Sequence, residues 1–179
     1  AIAAPLLLSL GFPPLAAVLV ALILNSVPVT FGAVGTPVWF GLKNLEGKIN
    51  EAVATSAHQL GFSTIDGFYM LIGKWAAVFH SVMAFILPLF VICFLTRFFG
   101  QNRSWREGMG AWKFSLVASL VFVIPYLASA FLFGEEFPAL LGGLIGTGAV
   151  IWIARRGLFL PEKTWDFGPQ SQWDSTWTG

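Results

Sequence analysis

The hydrogen-bonding side chains that interrupt the longest uncharged stretch of this sequence cluster in one segment, Asn25-Ser26-Val27-Pro28-Val29-Thr30-Phe31-Gly32-Ala33-Val34-Gly35-Thr36-Pro37. No Asp, Glu, Lys, Arg or His occurs from Ala1 to Leu42. Pro28 removes a helical hydrogen bond, and Pro37 disfavours helix at Thr36. Gly32 and Gly35 permit close approach of a ligand or of neighbouring backbone. In hydrocarbon each unpaired backbone polar group costs several kcal/mol, so a chain leaves the helix at that depth only where it packs in protein or lines a wet site. Broken helices of this kind form midplane sites in many secondary transporters. The segment is therefore a candidate site for a small solute, with Asn25, Ser26, Thr30 and Thr36 as binding side chains. Pro28, Gly32, Gly35 and Pro37 would shape its backbone. The plainer alternative is a proline kink between two packed helices.

The remaining reactive side chains are few. His80 is the ionisable residue placed inside an apolar span, close to its start, and an intramembrane ionisable group is a functional candidate by default. It is the candidate proton relay. His58, in a polar stretch, is a weaker one; together the two histidines would suit haem ligation in an electron-transfer subunit, which an absorbance spectrum would reveal. Cys93 reads as a small buried hydrophobe. The sequence has no nucleophile–histidine–acid set, no phosphate loop and no Cys/His metal spacing. These observations argue against an enzyme and imply no catalytic residue, metal or cofactor; nothing points to nucleic acid.

The elements that must position these residues are membrane helices. Hydrophobic residues make up 56% of the chain and charged residues 11%, where soluble domains average about 25% charged. The expected fold is an all-α integral membrane protein. A broken or re-entrant segment occupies residues 1–42. An amphipathic or extramembrane connector follows at 43–77, where helices could lie along the membrane surface. Three transmembrane helices occupy 78–160, at about Val78–Phe98, Phe114–Phe133 and Pro138–Ile153. A polar, Trp-rich tail covers 161–179, lying at headgroup level or disordered. In the first part, Gly11, Pro13 and Pro14 make a turn, and Leu15–Leu24 is helix material only about half as long as a hydrocarbon core. Ser63-Thr64-Ile65-Asp66 has the form of a capping box. Gly142 and Gly146, with Gly143 and Thr147, make faces for close packing of helices or of subunits in a homo-oligomer. The chain starts deep in apolar sequence without a charged leader, which reads as a truncation point.

With those residues in view, the sequence resembles the lactate permease family. Leu10-Gly11-Phe12-Pro13-Pro14-Leu15 and the stretch from Leu24 through Asn25 to Pro37 are similar to its motif Asn-Thr-Ala-Pro-Val-Ala-Phe-Gly-Ala-x-Gly-x-Pro. Arg103-Ser104-Trp105-Arg106-Glu107-Gly108 is similar to its cytoplasmic loop, and Gly134-Glu135-Glu136-Phe137-Pro138 to its Gly-Pro-Glu-Leu-Pro turn. Ser26 stands where the family usually has Thr, keeping a hydroxyl; Thr30 replaces a usual Ala and adds one.

The resemblance implies proton-coupled import of lactate or glycolate by a multi-pass protein of the bacterial inner membrane. It also implies a longer parent chain, with a Gly-Phe-Gly-x-Pro hairpin before Ala1 and a further half after the tail. Lactate offers a carboxylate and an adjacent hydroxyl. The carboxylate could sit against free N–H groups at a half-helix N-terminus, and Asn25, Ser26 or Thr30 could bond either group. Rival readings are a carrier for another organic anion and a structural membrane subunit.

Charge patterning sets an orientation. Arg97, Arg103, Arg106 and Lys113 form one basic cluster, Arg155, Arg156 and Lys163 another, and Gly134–Pro138 between them is acidic. The positive-inside rule puts both basic clusters in the cytoplasm and the acidic turn outside, with matching parity. In intact cells carrying the parent protein with Cys93→Ser and no other cysteine, Glu136→Cys should react with an impermeant thiol reagent and Arg106→Cys should not. The opposite pattern would reverse the orientation.

Overall fold

Proline and glycine set the helix boundaries at the N-terminal end. The computed structural model of the chain describes residues 2–27, 29–32, 34–60 and 62–178, of which 54–60 as backbone alone. Helix α1 (Ala3–Ser9) ends before Gly11, whose φ of +90° suits a residue without Cβ. Pro13 is extended, and Pro14 opens helix α2 (Pro14–Asn25), where a missing N–H costs nothing. Twelve residues carry α2 only about 18 Å. A single 3-10 turn (Val29–Phe31) leads to the short helix α3 (Thr36–Leu42), which Gly35 introduces at φ +79°. Helix α4 (Glu46–Leu60) follows after another 3-10 turn.

Helix α5 (Ile65–Phe98) is the longest element. Its start is capped by Thr64 Oγ1, which accepts the Gly67 N–H at 3.1 Å. The helix therefore takes in much of what the sequence reading assigned to a connector before Val78. His80 consequently lies about 22 Å along α5 from Ile65 rather than near a helix start. Helix α6 (Trp105–Met109) precedes α7 (Trp112–Leu132) and α8 (Pro138–Arg155). Among the described residues there is no strand, and α5, α7 and α8 are the three helices long and apolar enough to cross a membrane. Phe79, Ile86, Ile124 and Leu144 point outward from them, as lipid-facing or protein-covered helices require. The chain is an all-α membrane protein.

The chain forms two compact units. The first combines residues 1–27, 84–119 and 151–179 around Ala16, Val20, Val91, Leu95 and Phe99. The tail packs on this core through Trp165, Phe167 and Trp177: the Phe167 ring lies tilted 4.8 Å from that of Phe12, and the Trp177 ring 5.1 Å from that of Phe99. These partly buried aromatic rings, with the Gln101 N–H bonded to the Asp166 carbonyl at 2.9 Å, hold the tail against this core. Cys93 is buried here and unpaired.

The second unit combines residues 28–83 and 120–150 around Phe31, Ala77, Tyr126 and Ala130. Gly142 and Gly146 turn toward α7, and the small-residue face serves packing within the chain. A Cβ on Gly142 would come within 2.9 Å of Tyr126 Cβ, whereas one on the neighbouring Gly143 would meet nothing within 4 Å. Gly142→Ala should therefore destabilise the parent protein in detergent by about 1–3 kcal/mol, the usual cost of overpacking, while Gly143→Ala should be neutral or slightly stabilising. Thermal unfolding of the two variants side by side checks this; equal behaviour would contradict the packing.

Candidate functional site

Where the backbone breaks, turns take up several of its amides. Ser26 N–H bonds to the Ile23 carbonyl at 3.2 Å, Gly32 N–H to Val29 at 3.2 Å and Val38 N–H to Gly35 at 3.0 Å. Pro37, in the first turn of α3, has no N–H to offer. The start of α3 is thus a poorer anion cradle than a free helix N-terminus, and polar chemistry passes to side chains.

The side chains meet in the second unit. Thr30 Oγ1 lies 3.2 Å from His80 Nε2, and His80 Nδ1 lies 2.8 Å from the Tyr126 hydroxyl. The three residues come from the 3-10 turn of the break, from α5 and from α7. Phe31 seals the group with edge-on contacts, its ring centroid 5.5 Å from His80 and 5.6 Å from Tyr126. Phe31 and Tyr126 are fully buried, while Thr30 and His80 are half-buried. The imidazole is flanked by two hydroxyls, each able to donate or accept. Both neutral tautomers satisfy both contacts, and so does the imidazolium, because the hydroxyl hydrogens can rotate. The arrangement can therefore hold, release or pass a proton without moving a heavy atom.

A second polar contact lies in the same unit. Trp39 Nε1 donates to Glu135 Oε1 at 2.7 Å, and Glu135 is only 7% exposed. Gly35 and Gly73 make room for it: a Cβ at either would come within 3.0 or 3.1 Å of Glu135 atoms.

Of the residues singled out in the sequence, Thr30 and His80 are brought together. Thr36 opens α3, and Gly32, Gly35 and Pro37 shape the turns beside Thr30. Pro28 and the side chain of His58 lie outside the described residues. Asn25 and Ser26 belong to the first unit. Ser26 Oγ donates to the Ile23 carbonyl at 2.6 Å and so caps its own helix. Asn25 is exposed and borders a hollow of about 490 Å³ with Leu7, Val18 and Leu22. Among the described residues no cluster of His, Cys, Asp or Glu could hold a metal ion. Sequence reasoning missed Tyr126 and Glu135. Tyr126 carried a signal, being one of only two tyrosines and lying inside an apolar span. Glu135 sat in an acidic turn read as solvent-facing.

Comparison with known proteins agrees with this architecture. The family model for L-lactate permease matches residues 1–177. The chain is 38% identical over 164 residues to a putative L-lactate permease of Haemophilus influenzae, covering 92% of this chain and 26% of that protein. It is 31% identical over 173 residues to the L-lactate permease of Bacillus subtilis, covering 96% and 25%. The glycolate permease of Escherichia coli is 27% identical over 165 residues, covering 92% and 23%. The chain thus spans about a quarter of the length of the curated relatives it matches. These relatives are permeases, not enzymes. No solved structure matches it significantly.

Tyr126→Phe removes the hydroxyl at His80 Nδ1 inside a buried cluster, and the unmet ring nitrogen should cost about 1–3 kcal/mol. Thr30→Ala should cost less, because Thr30 is half-buried and its contact is longer. Unfolding of the two variants of the parent protein, measured under one set of conditions, gives the order; a larger loss for Thr30→Ala would mean the histidine is held from the other side.

Proposed function

Because the chain belongs to the L-lactate permease family, we propose that it forms part of a proton-coupled carrier of lactate, glycolate or a related 2-hydroxy monocarboxylate. The parent is a multi-pass protein of the bacterial inner membrane. The observation that carries the reading is the Thr30–His80–Tyr126 chain, which ties the broken segment to two membrane-length helices. The bacterial permeases named above support the substrate class.

A carboxylate cannot cross a low-dielectric interior as a bare charge without a large desolvation penalty. An imidazolium at His80 neutralises it, so carboxylate and proton travel as a pair of zero net charge. In the neutral state His80 Nε2 faces Thr30 and Nδ1 faces Tyr126. On protonation both ring nitrogens donate, and the hydroxyls of Thr30 and Tyr126 rotate to accept. Thr30, the more exposed end, can then turn its O–H toward the carboxylate or the 2-hydroxyl of the substrate. Release on the far side returns the proton and restores the neutral ring. Phe31 packs edge-on against the half-buried imidazole, so movement of the segment that bears it ties proton movement to substrate movement. Asn25, Ser26 and Thr36 are further candidate ligands of the carboxylate or hydroxyl, each to be tested singly. Asn25 is foremost, since it ends α2 with an exposed side chain that both donates and accepts.

The test is initial uptake of labelled lactate by the complete parent protein, normalised to inserted protein, with external pH recorded. Lactate entry should make the medium more alkaline. His80→Ala should abolish that alkalinisation. Asn25→Ala should reduce uptake by roughly five- to 150-fold, the equivalent of about 1–3 kcal/mol for a buried polar interaction lost in the bound state. Thr30→Ala restores the residue usual in the family and should retain uptake, with altered preference between lactate and glycolate. Normal uptake by both Asn25→Ala and His80→Ala would remove the site from this segment.

A further inference from the structure

The carboxyl group of Glu135 is buried in the second unit, and the transport cycle outlined above does not use it. Its surroundings are specific. Trp39 donates its indole N–H to Oε1, and indole is a donor only, so it cannot take a proton from the acid. Gly35 and Gly73 leave space that a methyl group would fill. Gly73 and His80 are seven residues apart on α5, so they share one face of that helix about 10 Å apart along its axis. Between them on that face lies Ala77, 0% exposed, packed with Phe31, Ala130 and Tyr126. Two protonatable groups are thus stacked along one helix face, divided by an apolar layer. On the part of α5 in the second unit the other charged groups are Asp66 and Lys74, with Arg97 at the far end of the helix, and Glu136 follows Glu135 in the turn. The Lys74 ammonium lies over the Phe131 ring at 5.8 Å, and Asp66 is exposed about two helical turns before Gly73.

We propose that Glu135 is a second proton-binding site, serving the external side, from which His80 is loaded. The inference rests on the proton-coupled reading above and names the next group in that path. The carboxylate takes a proton from water on Oε2 while Trp39 keeps its bond to Oε1. When the Phe31–Ala77–Ala130 layer parts, the acid O–H gives its proton to a neutral ring nitrogen of His80, yielding carboxylate and imidazolium. With the layer closed the two groups are insulated from each other. Protons therefore cannot leak through the unit unless the segment bearing Phe31 moves, and that segment is the one proposed to meet substrate.

Glu135→Gln tests this in the complete parent protein, because the amide oxygen still accepts from Trp39 but cannot carry a proton. Proton-driven lactate accumulation should be lost, while exchange of labelled for unlabelled lactate at equal pH should persist. Glu136→Gln should leave both unchanged. Normal accumulation by Glu135→Gln, loss of exchange at normal abundance, or an equal defect in Glu136→Gln would each overturn the proposal. A second measurement needs no variant. A hydrophobic carbodiimide adds a protonated carboxyl O–H across its C=N bond, and the adduct rearranges to a stable N-acylurea. In the wild-type protein mass spectrometry should find that adduct on Glu135 and not on Glu136; its absence from Glu135 would also overturn the assignment. If wild-type lactate entry moves no protons, the underlying transport reading fails, and that result is distinct from any result with the variants.

Discussion

Backbone that stops being helical inside an apolar environment must find hydrogen-bond partners within the protein, and the organisation of this chain follows from that requirement. The segment after α2 meets it in part by tight turns, through the Ser26, Gly32 and Val38 amides. These turns need Gly35 in the left-handed region, where a Cβ would be disfavoured. They also use up donors that would otherwise face a solute. Of the polar side chains in this segment, Thr30 reaches the ring of His80.

That contact depends in turn on how closely the helices approach. Ala77 and Gly73 on α5 and Gly142 and Gly146 on α8 present no bulk, so Phe31 and Tyr126 can fill the space with aromatic rings. Aromatic packing of this kind excludes water while leaving polar tips at the edge of the cluster. A histidine between two hydroxyls in such surroundings is hydrogen-bonded in every protonation state, and the cost of burying it is offset in each. The same small-residue face makes room for Glu135, so one packing decision positions both ionisable groups.

The first unit shows the same rule in a different role. Its core is the apolar face of α2 against the second half of α5, with the aromatic tail folded over it. Thr96 and Ser119, both buried, return their hydroxyls to helix carbonyls, as most polar groups in an apolar core do, whereas the buried Ser115 hydroxyl has no partner among the described residues. Gly108 lies so close to α5 that a Cβ would fall on the Cys93 backbone and the Thr96 hydroxyl, and this seats α6 against that helix.

Composition, charge spacing and the Pro/Gly pattern by themselves determined the all-α membrane class, the early end of the first apolar helix, the three long spans and the family. Those properties depend on local sequence: hydropathy sums along the chain, and proline and glycine act on their own backbone. The capping of α5 was legible at Ser63–Asp66 for the same reason, although the Thr64 oxygen does the capping. Which polar residues meet was decided only by the tertiary structure. Thr30 and His80 are fifty positions apart, and His80 and Tyr126 forty-six. No periodicity within one helix encodes the rotation of α5 against α7 that joins them. Glu135 was misread for a related reason. A carboxylate in a short turn is ordinarily solvated, and only the close approach of α3 and α5, allowed by two glycines, encloses this one.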